Sequence, residues 1–171
     1  KYEAPLFIVD TPFLHDGLAP ELIDYTVAQF HDLERFLAEH TGRDFDRERL
    51  AATIATAWEA SDYWKKMLGL AATIPSPINS LDTFIHLAPI VTLRGTPQCV
   101  DYYRELYEEV KARADARIPS VPGEKFRVLW DNLPIWFKMA RLSKTFANYG
   151  GALVGDTYTN AWADNDIDMN D

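Results

Sequence analysis

The hydrophobic residues of this 171-residue chain recur at steps of three and four over much of its length, which is the spacing of one helical face. This pattern predicts a helix over residues 20–42 and a second one over residues 46–69. A shorter helix over Leu81–Leu87 and a longer one capped by Thr96 are predicted to follow. The sequence therefore predicts four helices and no sheet between residues 20 and 117.

Three short apolar runs interrupt the helical pattern and are predicted to be strands: Leu6–Val9, Phe126–Trp130 and Ala152–Gly155. Between the last two, Asn132 is placed to cap a helix, and Pro134 would lie in its first turn. Two strands that a helix joins are almost always parallel neighbours. The segment from residue 126 to residue 155 is therefore interpreted as a strand–helix–strand unit.

The change from helical spacing to short apolar runs divides the chain into three zones. Residues 1–15 are interpreted as the end of a first α/β domain, residues 16–124 as a helical middle region, and residues 125–171 as the start of a second α/β domain. The predicted fold class is therefore α/β and helix-rich, with the helices inserted between two parallel sheets. Because a sheet of one or two strands leaves its edges unpaired, the missing strands are expected outside this sequence.

Polar loops follow the two strands predicted near the end of the chain. The carboxyl ends of parallel strands meet at one edge of a sheet, where α/β proteins bind ligands. Hydroxyl and amide groups can form hydrogen bonds there, and tryptophan rings offer apolar walls. These loops are predicted to position a substrate, and no catalytic residue is assigned in them. The predicted substrate-binding residues are Asn132, Pro134, Trp136, Thr157, Tyr158, Thr159 and Asn160.

The charge and the apolar runs exclude two classes of partner. A formal net charge of −9 argues against nucleic acid, because neutralising phosphates requires clustered Lys and Arg. No apolar run approaches the roughly 18 residues of a membrane span, so no membrane partner is expected. The apolar stretch near the N-terminus is too short for a secretory signal. With a single cysteine, these features favour a cytoplasmic location.

No metal ligand is predicted within the chain. The four histidines show no paired spacing of the kind that zinc sites use. The tail Asp164-Asn165-Asp166-Ile167-Asp168 resembles the opening of a calcium loop but lacks its turn glycine, so it is interpreted as a solvated end. Cys99 is alone and lies near a predicted helix start, which favours a structural thiol.

Five segments in a fixed order resemble the subunits of benzoyl-CoA reductase and the 2-hydroxyacyl-CoA dehydratases. Together they cover nearly the whole chain. The segments are Pro5–Phe13, Ile74–Asn79, Arg94-Gly95-Thr96 with Val100–Tyr103, Arg127–Trp136, and Thr157–Trp162. The resemblance implies two Rossmann-like parallel-sheet domains, each only partly present in this chain.

The same resemblance implies cofactors and partners for the intact subunit. These are a 4Fe–4S cluster held by cysteines, a homologous second subunit, an ATP-dependent activator protein and an acyl-CoA substrate. Because the chain has only Cys99, the cluster ligands are expected outside it. The Arg94–Tyr103 segment and the Asn132-Leu133-Pro134 turn favour a reductase of the benzoyl-CoA type. Two alternatives stay open: an (R)-2-hydroxyacyl-CoA dehydratase subunit, and a cluster-free scaffold or interaction protein.

Overall fold

The computed structural model describes residues 4–13, 17 and 19–163. It divides the chain into two compact units, residues 1–49 and residues 50–171. The fold is helix-rich α/β, with a small parallel sheet in the second unit. The division into three zones, with limits at residues 15 and 124, stays a prediction.

In the first unit, helix α1 (Pro20–Thr41) follows the sequence prediction closely. Pro20 opens the helix, where its missing N–H costs no hydrogen bond. Gly42 ends it in the left-handed conformation, with φ of +66° and its N–H bonded to the carbonyl of Ala38. None of the helix residues is buried, and Phe30 on its apolar face is half exposed.

The predicted strand Leu6–Val9 is wrong. Residues 4–13 form no regular secondary structure. At Asp10, the side-chain amide of Gln29 accepts a hydrogen bond from the backbone N–H and donates one to the carbonyl, both at 2.6 Å. The Gln29 side chain of α1 therefore makes the two backbone hydrogen bonds at Asp10 that a neighbouring strand would otherwise make.

Five α-helices lie within residues 20–117, where the sequence predicted four; no strand occurs among the described residues of that range. After α1 come α2 (Arg47–Gly69), a 3₁₀ turn (Leu70–Ala72), α3 (Ser80–His86), α4 (Ala88–Thr92) and α5 (Pro97–Asp115). The extra helix arises at Pro89, which stands in the first turn of α4 and cannot extend α3. The predicted cap of α5 is confirmed, because the Thr96 hydroxyl accepts a hydrogen bond from the Cys99 N–H.

The two strands predicted near the end of the chain are confirmed as parallel neighbours. Strand β1 (Phe126–Trp130) pairs with β2 (Gly151–Asp156), with one register shift after Val128. Helix α6 (Met139–Asn148) connects them, and the short helix α7 (Thr157–Asn160) follows β2 directly.

The predicted helix start at Asn132 is wrong. Helix α6 begins at Met139, after a 3₁₀ turn at Trp136–Lys138, and Asn132 does not cap it. Asn132 instead adopts a φ of +73°, and its side-chain oxygen accepts a hydrogen bond from the next N–H, that of Leu133. Because Pro134 disfavours helical backbone at the residue before it, a helix cannot begin at Leu133.

The main core of the second unit packs α2, α4 and α5 around Trp64 and Tyr103, which are fully buried. Their rings are 5.1 Å apart. The Tyr103 hydroxyl donates to the carbonyl of His86 at 2.8 Å and accepts from the N–H of Ile90 at 2.9 Å. It therefore joins α3 to α4, and burial raises the pKa of Tyr103 well above its usual value.

Replacing Tyr103 with Phe is expected to destabilise the protein by about 1–3 kcal/mol, because the buried N–H of Ile90 and the carbonyl of His86 lose their partner. Urea unfolding followed by circular dichroism measures the change. The control is Tyr149→Phe, which removes a hydroxyl from an exposed ring and should change the free energy of unfolding by less than about 0.5 kcal/mol. Equal losses in both variants would contradict the role of Tyr103.

A second prediction concerns pH. Burial lowers the pKa of His86, whose ring nitrogen lies 2.7 Å from the Tyr102 hydroxyl. The folded state therefore resists protonation of His86. The contribution of His86 to the free energy of unfolding is fully present above a pH of about 6.5 and is lost as the pH falls below that value. Burial raises the pKa of Asp82, so this carboxyl binds its proton at a higher pH in the folded state than in the unfolded chain. Its effect is therefore opposite to that of His86, because protonation of Asp82 favours the folded state as the pH falls.

Comparison of the wild type with a His86→Gln variant isolates the histidine. Between pH 7.5 and pH 5.5, the wild type should lose unfolding free energy relative to the variant. Urea unfolding at four pH values over that window measures the difference. A difference that stays constant, or that moves in favour of the wild type on acidification, would contradict the predicted sign.

Candidate functional site

The loops that follow β1 and β2 are joined by a short hydrogen-bonded chain. The Thr157 hydroxyl donates to the Asp131 carboxylate at 2.8 Å and accepts from the Asn132 N–H at 2.9 Å. Asn132 tolerates its positive φ better than most residues do, since its side chain bonds to the local backbone. The structure therefore brings two of the predicted residues, Asn132 and Thr157, together at the carboxyl edge of the sheet.

Asp156 ends β2 with a buried carboxylate, and the side chain is only 2% exposed. One carboxylate oxygen accepts from the Thr159 N–H at 2.5 Å, which caps α7. The other accepts from the hydroxyl of Thr159 at 2.7 Å and, more weakly, from that of Thr83 at 3.5 Å. The hydroxyl of Thr159 thus donates its hydrogen bond to Asp156 and has a structural role in the site.

The aromatic residues of the predicted site lie around Phe84 of α3. The rings of Trp136 and Tyr158 each have their centre 6.3 Å from that of Phe84. Trp136 is half exposed and Tyr158 is partly buried, while Pro134 is buried. Trp136 therefore keeps part of its ring exposed. The sequence analysis predicted that this ring would form an apolar wall of the site.

A cavity of about 310 Å³ lies against the end of β2. Of the seven predicted residues, only Asn160 lines it. The sequence analysis missed most of its polar wall, which α2 and the start of α3 provide. The polar residues that line the cavity are Lys65, Asn79, Ser80, Thr83, Asp156 and Asn160.

The segment before α3 carries part of this wall and is fixed from β1. Arg127 donates to the carbonyls of Ala71 and Thr73, at 2.7 and 3.1 Å, and pairs with Glu124 at 2.6 Å. Glu124 in turn accepts from the N–H of Ser76 at 2.6 Å. The sequence analysis singled out the Ile74–Asn79 segment for its family resemblance. It assigned that segment no role in the site.

The described residues do not fit an iron–sulfur cluster. They contain no group of three or more His, Cys, Asp or Glu side chains that could hold a metal ion. Cys99 is buried in the core, and burial raises the pKa of its thiol. The calcium-like tail at residues 164–168 lies outside the described residues.

None of the helices in the described part of the chain is both long enough and apolar enough to cross a membrane.

Comparison with known proteins identifies the family. The model for the 2-hydroxyglutaryl-CoA dehydratase D-component matches residues 1–171, which is the whole chain. The chain belongs to this family, as the five segments indicated.

Curated relatives agree with this assignment. The chain is 31% identical over 166 residues to the (R)-2-hydroxyisocaproyl-CoA dehydratase alpha subunit of Clostridioides difficile, covering 95% of this chain and 41% of the relative. It is 26% identical to the lactoyl-CoA dehydratase subunit alpha of Anaerotignum propionicum, over 100% and 41% of the two chains. It is 25% identical to the (R)-2-hydroxyglutaryl-CoA dehydratase subunit alpha of Acidaminococcus fermentans, over 95% and 34%. The chain thus spans about two fifths or less of each relative's length.

Removing the buried carboxylate at the end of β2 should destabilise the protein. In Asp156→Ala, the N–H and the hydroxyl of Thr159 lose their acceptor in a buried place, which costs roughly 2–4 kcal/mol. The matched control is Asp131→Ala, whose exposed carboxylate accepts one hydrogen bond and whose loss should cost less than about 1 kcal/mol. Thermal and urea unfolding of both variants measure the difference. A smaller loss for Asp156 than for Asp131 would refute this account.

Proposed function

We propose that the chain is part of the alpha-type subunit of an (R)-2-hydroxyacyl-CoA dehydratase, which eliminates water from a CoA thioester that carries a 2-hydroxyl group. The observation that carries this proposal is the family match over the whole chain. The curated relatives support it, because their names describe alpha subunits of dehydratases for several (R)-2-hydroxyacyl-CoA thioesters.

The comparisons favour the dehydratase over the benzoyl-CoA reductase that the sequence analysis preferred. The relatives at 25–31% identity are dehydratase subunits. The reductase interpretation depended on the Arg94–Tyr103 segment and the Asn132-Leu133-Pro134 turn. Arg94 donates to the Ser61 hydroxyl at 3.1 Å, and Thr96 caps α5, so these two residues have roles in the fold that either enzyme could share.

The loops at the carboxyl edge of the sheet are proposed to line the acyl-CoA pocket of the intact subunit. Two features support this role. The Tyr158 hydroxyl makes no hydrogen bond within the described part of the chain, and Trp136 exposes about half of its surface. Asn132 and Thr157 would fix the loop that carries Trp136, whereas Thr159 acts through Asp156. These residues would position the thioester, because none of the seven predicted residues carries a charged side chain.

The cofactor and the partners of the intact enzyme are also part of the proposal. A 4Fe–4S cluster would need ligands outside the described residues. A homologous second subunit is supported by the relatives, which are called alpha subunits. The family resemblance alone suggests an ATP-dependent activator. The sequence alone suggests a cytoplasmic location.

The experiment uses the full-length subunit in its complete complex, assayed without oxygen. Wild-type enzyme should dehydrate an (R)-2-hydroxyacyl-CoA and leave benzoyl-CoA unreduced. The opposite result would favour the reductase, and activity on neither thioester, in a complex without iron and sulfide, would favour a scaffold.

Two conservative variants test the loops in that assay. Tyr158→Phe removes the hydroxyl but keeps the ring against Phe84, and Asn132→Gly removes the amide but keeps a residue suited to positive φ. Each should lower kcat/KM about tenfold or more, with a melting temperature close to that of the wild type. Tyr107→Phe, at a partly buried residue that packs against the main core, is the control and should keep wild-type turnover. Unchanged kinetics in both loop variants would show that the loops have a structural role only.

A further inference from the structure

An exposed apolar segment lies in the loop between β1 and α6. Leu133 and Trp136 are 56% and 54% exposed, and Ile135 between them is exposed as well. One side of the segment is held against the protein, because the Trp136 ring meets the buried ring of Phe84 edge-on, with the two centres 6.3 Å apart. Contiguous apolar surface of this kind typically marks a place where a ligand or a partner binds. The open side of Trp136 is therefore a wall that a further apolar group can cover.

The two loops at the carboxyl edge of the sheet contribute negative charge and no positive charge. Within residues 128–137 and 151–160, the charged side chains are those of Asp131 and Asp156. Asp131 is exposed, whereas Asp156 is buried. A ligand carboxylate that enters these loops therefore meets like charge, and it loses part of its hydration without gaining a cation.

Three cations lie near these loops in the sequence or in the structure, and each is engaged elsewhere. Arg127 donates to two backbone carbonyl groups before α3 and pairs with Glu124 at 2.6 Å. The Lys138 ammonium lies 5.7 Å from the centre of the Phe137 ring, which is 84% exposed, so salt screens its charge. Lys65 lines the cavity at the end of β2 together with a carboxylate of that strand. The loops therefore suit an acyl chain that carries no charge.

We propose that these loops select a 2-hydroxyacyl group whose side chain is apolar and uncharged, and that Trp136 determines the selection. A branched aliphatic or aromatic chain would cover the open side of the Trp136 ring and remove apolar surface from water. A chain that ends in a carboxylate would gain nothing from the ring and would lie near Asp131 without a cation. This inference rests on the proposed function, because it concerns the acyl group of the thioester that the dehydratase would use.

Two matched thioesters test the selection in the complete complex with the full-length subunit, assayed without oxygen. (R)-2-hydroxyisocaproyl-CoA and (R)-2-hydroxyglutaryl-CoA share the coenzyme and the length of the main carbon chain. They differ at the chain end, which is branched and apolar in the first and a carboxylate in the second. The first should have a kcat/KM at least about tenfold higher than the second. An equal or lower kcat/KM for the first would overturn the proposal.

The variant Trp136→Ala tests the residue itself. It should lower kcat/KM for (R)-2-hydroxyisocaproyl-CoA about tenfold, mainly through a higher KM, and leave the value for (R)-2-hydroxyglutaryl-CoA unchanged. The matched control is Phe137→Ala, which removes the neighbouring, largely exposed ring and should keep wild-type values for both thioesters. A purely structural role of Trp136 would change both values by the same factor, and that result would overturn its role in the selection.

The variant Asp131→Asn tests the charge. The asparagine oxygen can still accept the hydrogen bond from the Thr157 hydroxyl, so the variant removes the charge and keeps this contact. The kcat/KM for (R)-2-hydroxyglutaryl-CoA should rise about two- to fivefold, which is the size of an effect between exposed charges. The value for (R)-2-hydroxyisocaproyl-CoA should stay the same. No rise for the acidic thioester would contradict the part of the proposal that depends on charge.

Binding measurements separate this inference from the proposed function. If the complex dehydrates neither thioester, the proposed function fails, and isothermal titration calorimetry with the same two thioesters decides the inference. Tighter binding of (R)-2-hydroxyisocaproyl-CoA then supports the selection, and equal or weaker binding overturns it. If the complex dehydrates (R)-2-hydroxyglutaryl-CoA equally well or better, the proposed function stands and the inference is wrong.

Discussion

The hydrogen bonds of the Asp156 carboxylate hold the end of β2, the short helix α7 and the start of α3 in place. A buried carboxylate is costly unless several donors surround it, and the N–H and hydroxyl of Thr159 provide two at 2.5 and 2.7 Å. Thr159 in turn accepts a hydrogen bond from the ring N–H of Trp64 in the main core. The end of the sheet is thereby connected to α2 through a continuous polar path inside an apolar core.

This arrangement shapes the carboxyl edge of the sheet. Two features lie at the carboxyl edge of β1 and β2: an exposed loop around Asn132 and Thr157, and a cavity that Asp156 lines. Position at the strand ends is a property of α/β sheets in general. The cavity depends on particular side chains, because Gly69 leaves open space beside it and Ser80, Thr83 and Asp156 line it.

The groups at the carboxyl edge of the sheet are suited to hydrogen bonding and packing more than to proton transfer. The buried carboxylate is committed to Thr159, and the loops contribute hydroxyl, amide and aromatic groups. Such groups can form hydrogen bonds and exclude water, but they do not titrate near neutral pH.

The sequence by itself determined the features that depend on neighbouring residues. Pro20 and Gly42 delimit α1, Thr96 caps α5, and the two apolar runs after residue 125 form parallel strands. It also determined the family, because five short segments in order are specific together even where each alone is weak.

Only the tertiary structure decided the features that depend on distant partners. Leu6–Val9 has the composition of a strand, yet Gln29 of α1 bonds to the adjacent backbone of Asp10 and no strand forms. The cavity joins Gly69, Ser80 and Asn160, which are far apart in sequence, so no local pattern could have revealed it. The physical reason is that apolar periodicity and capping act over a few residues, whereas a cavity lined by distant residues exists only once the chain has folded around it.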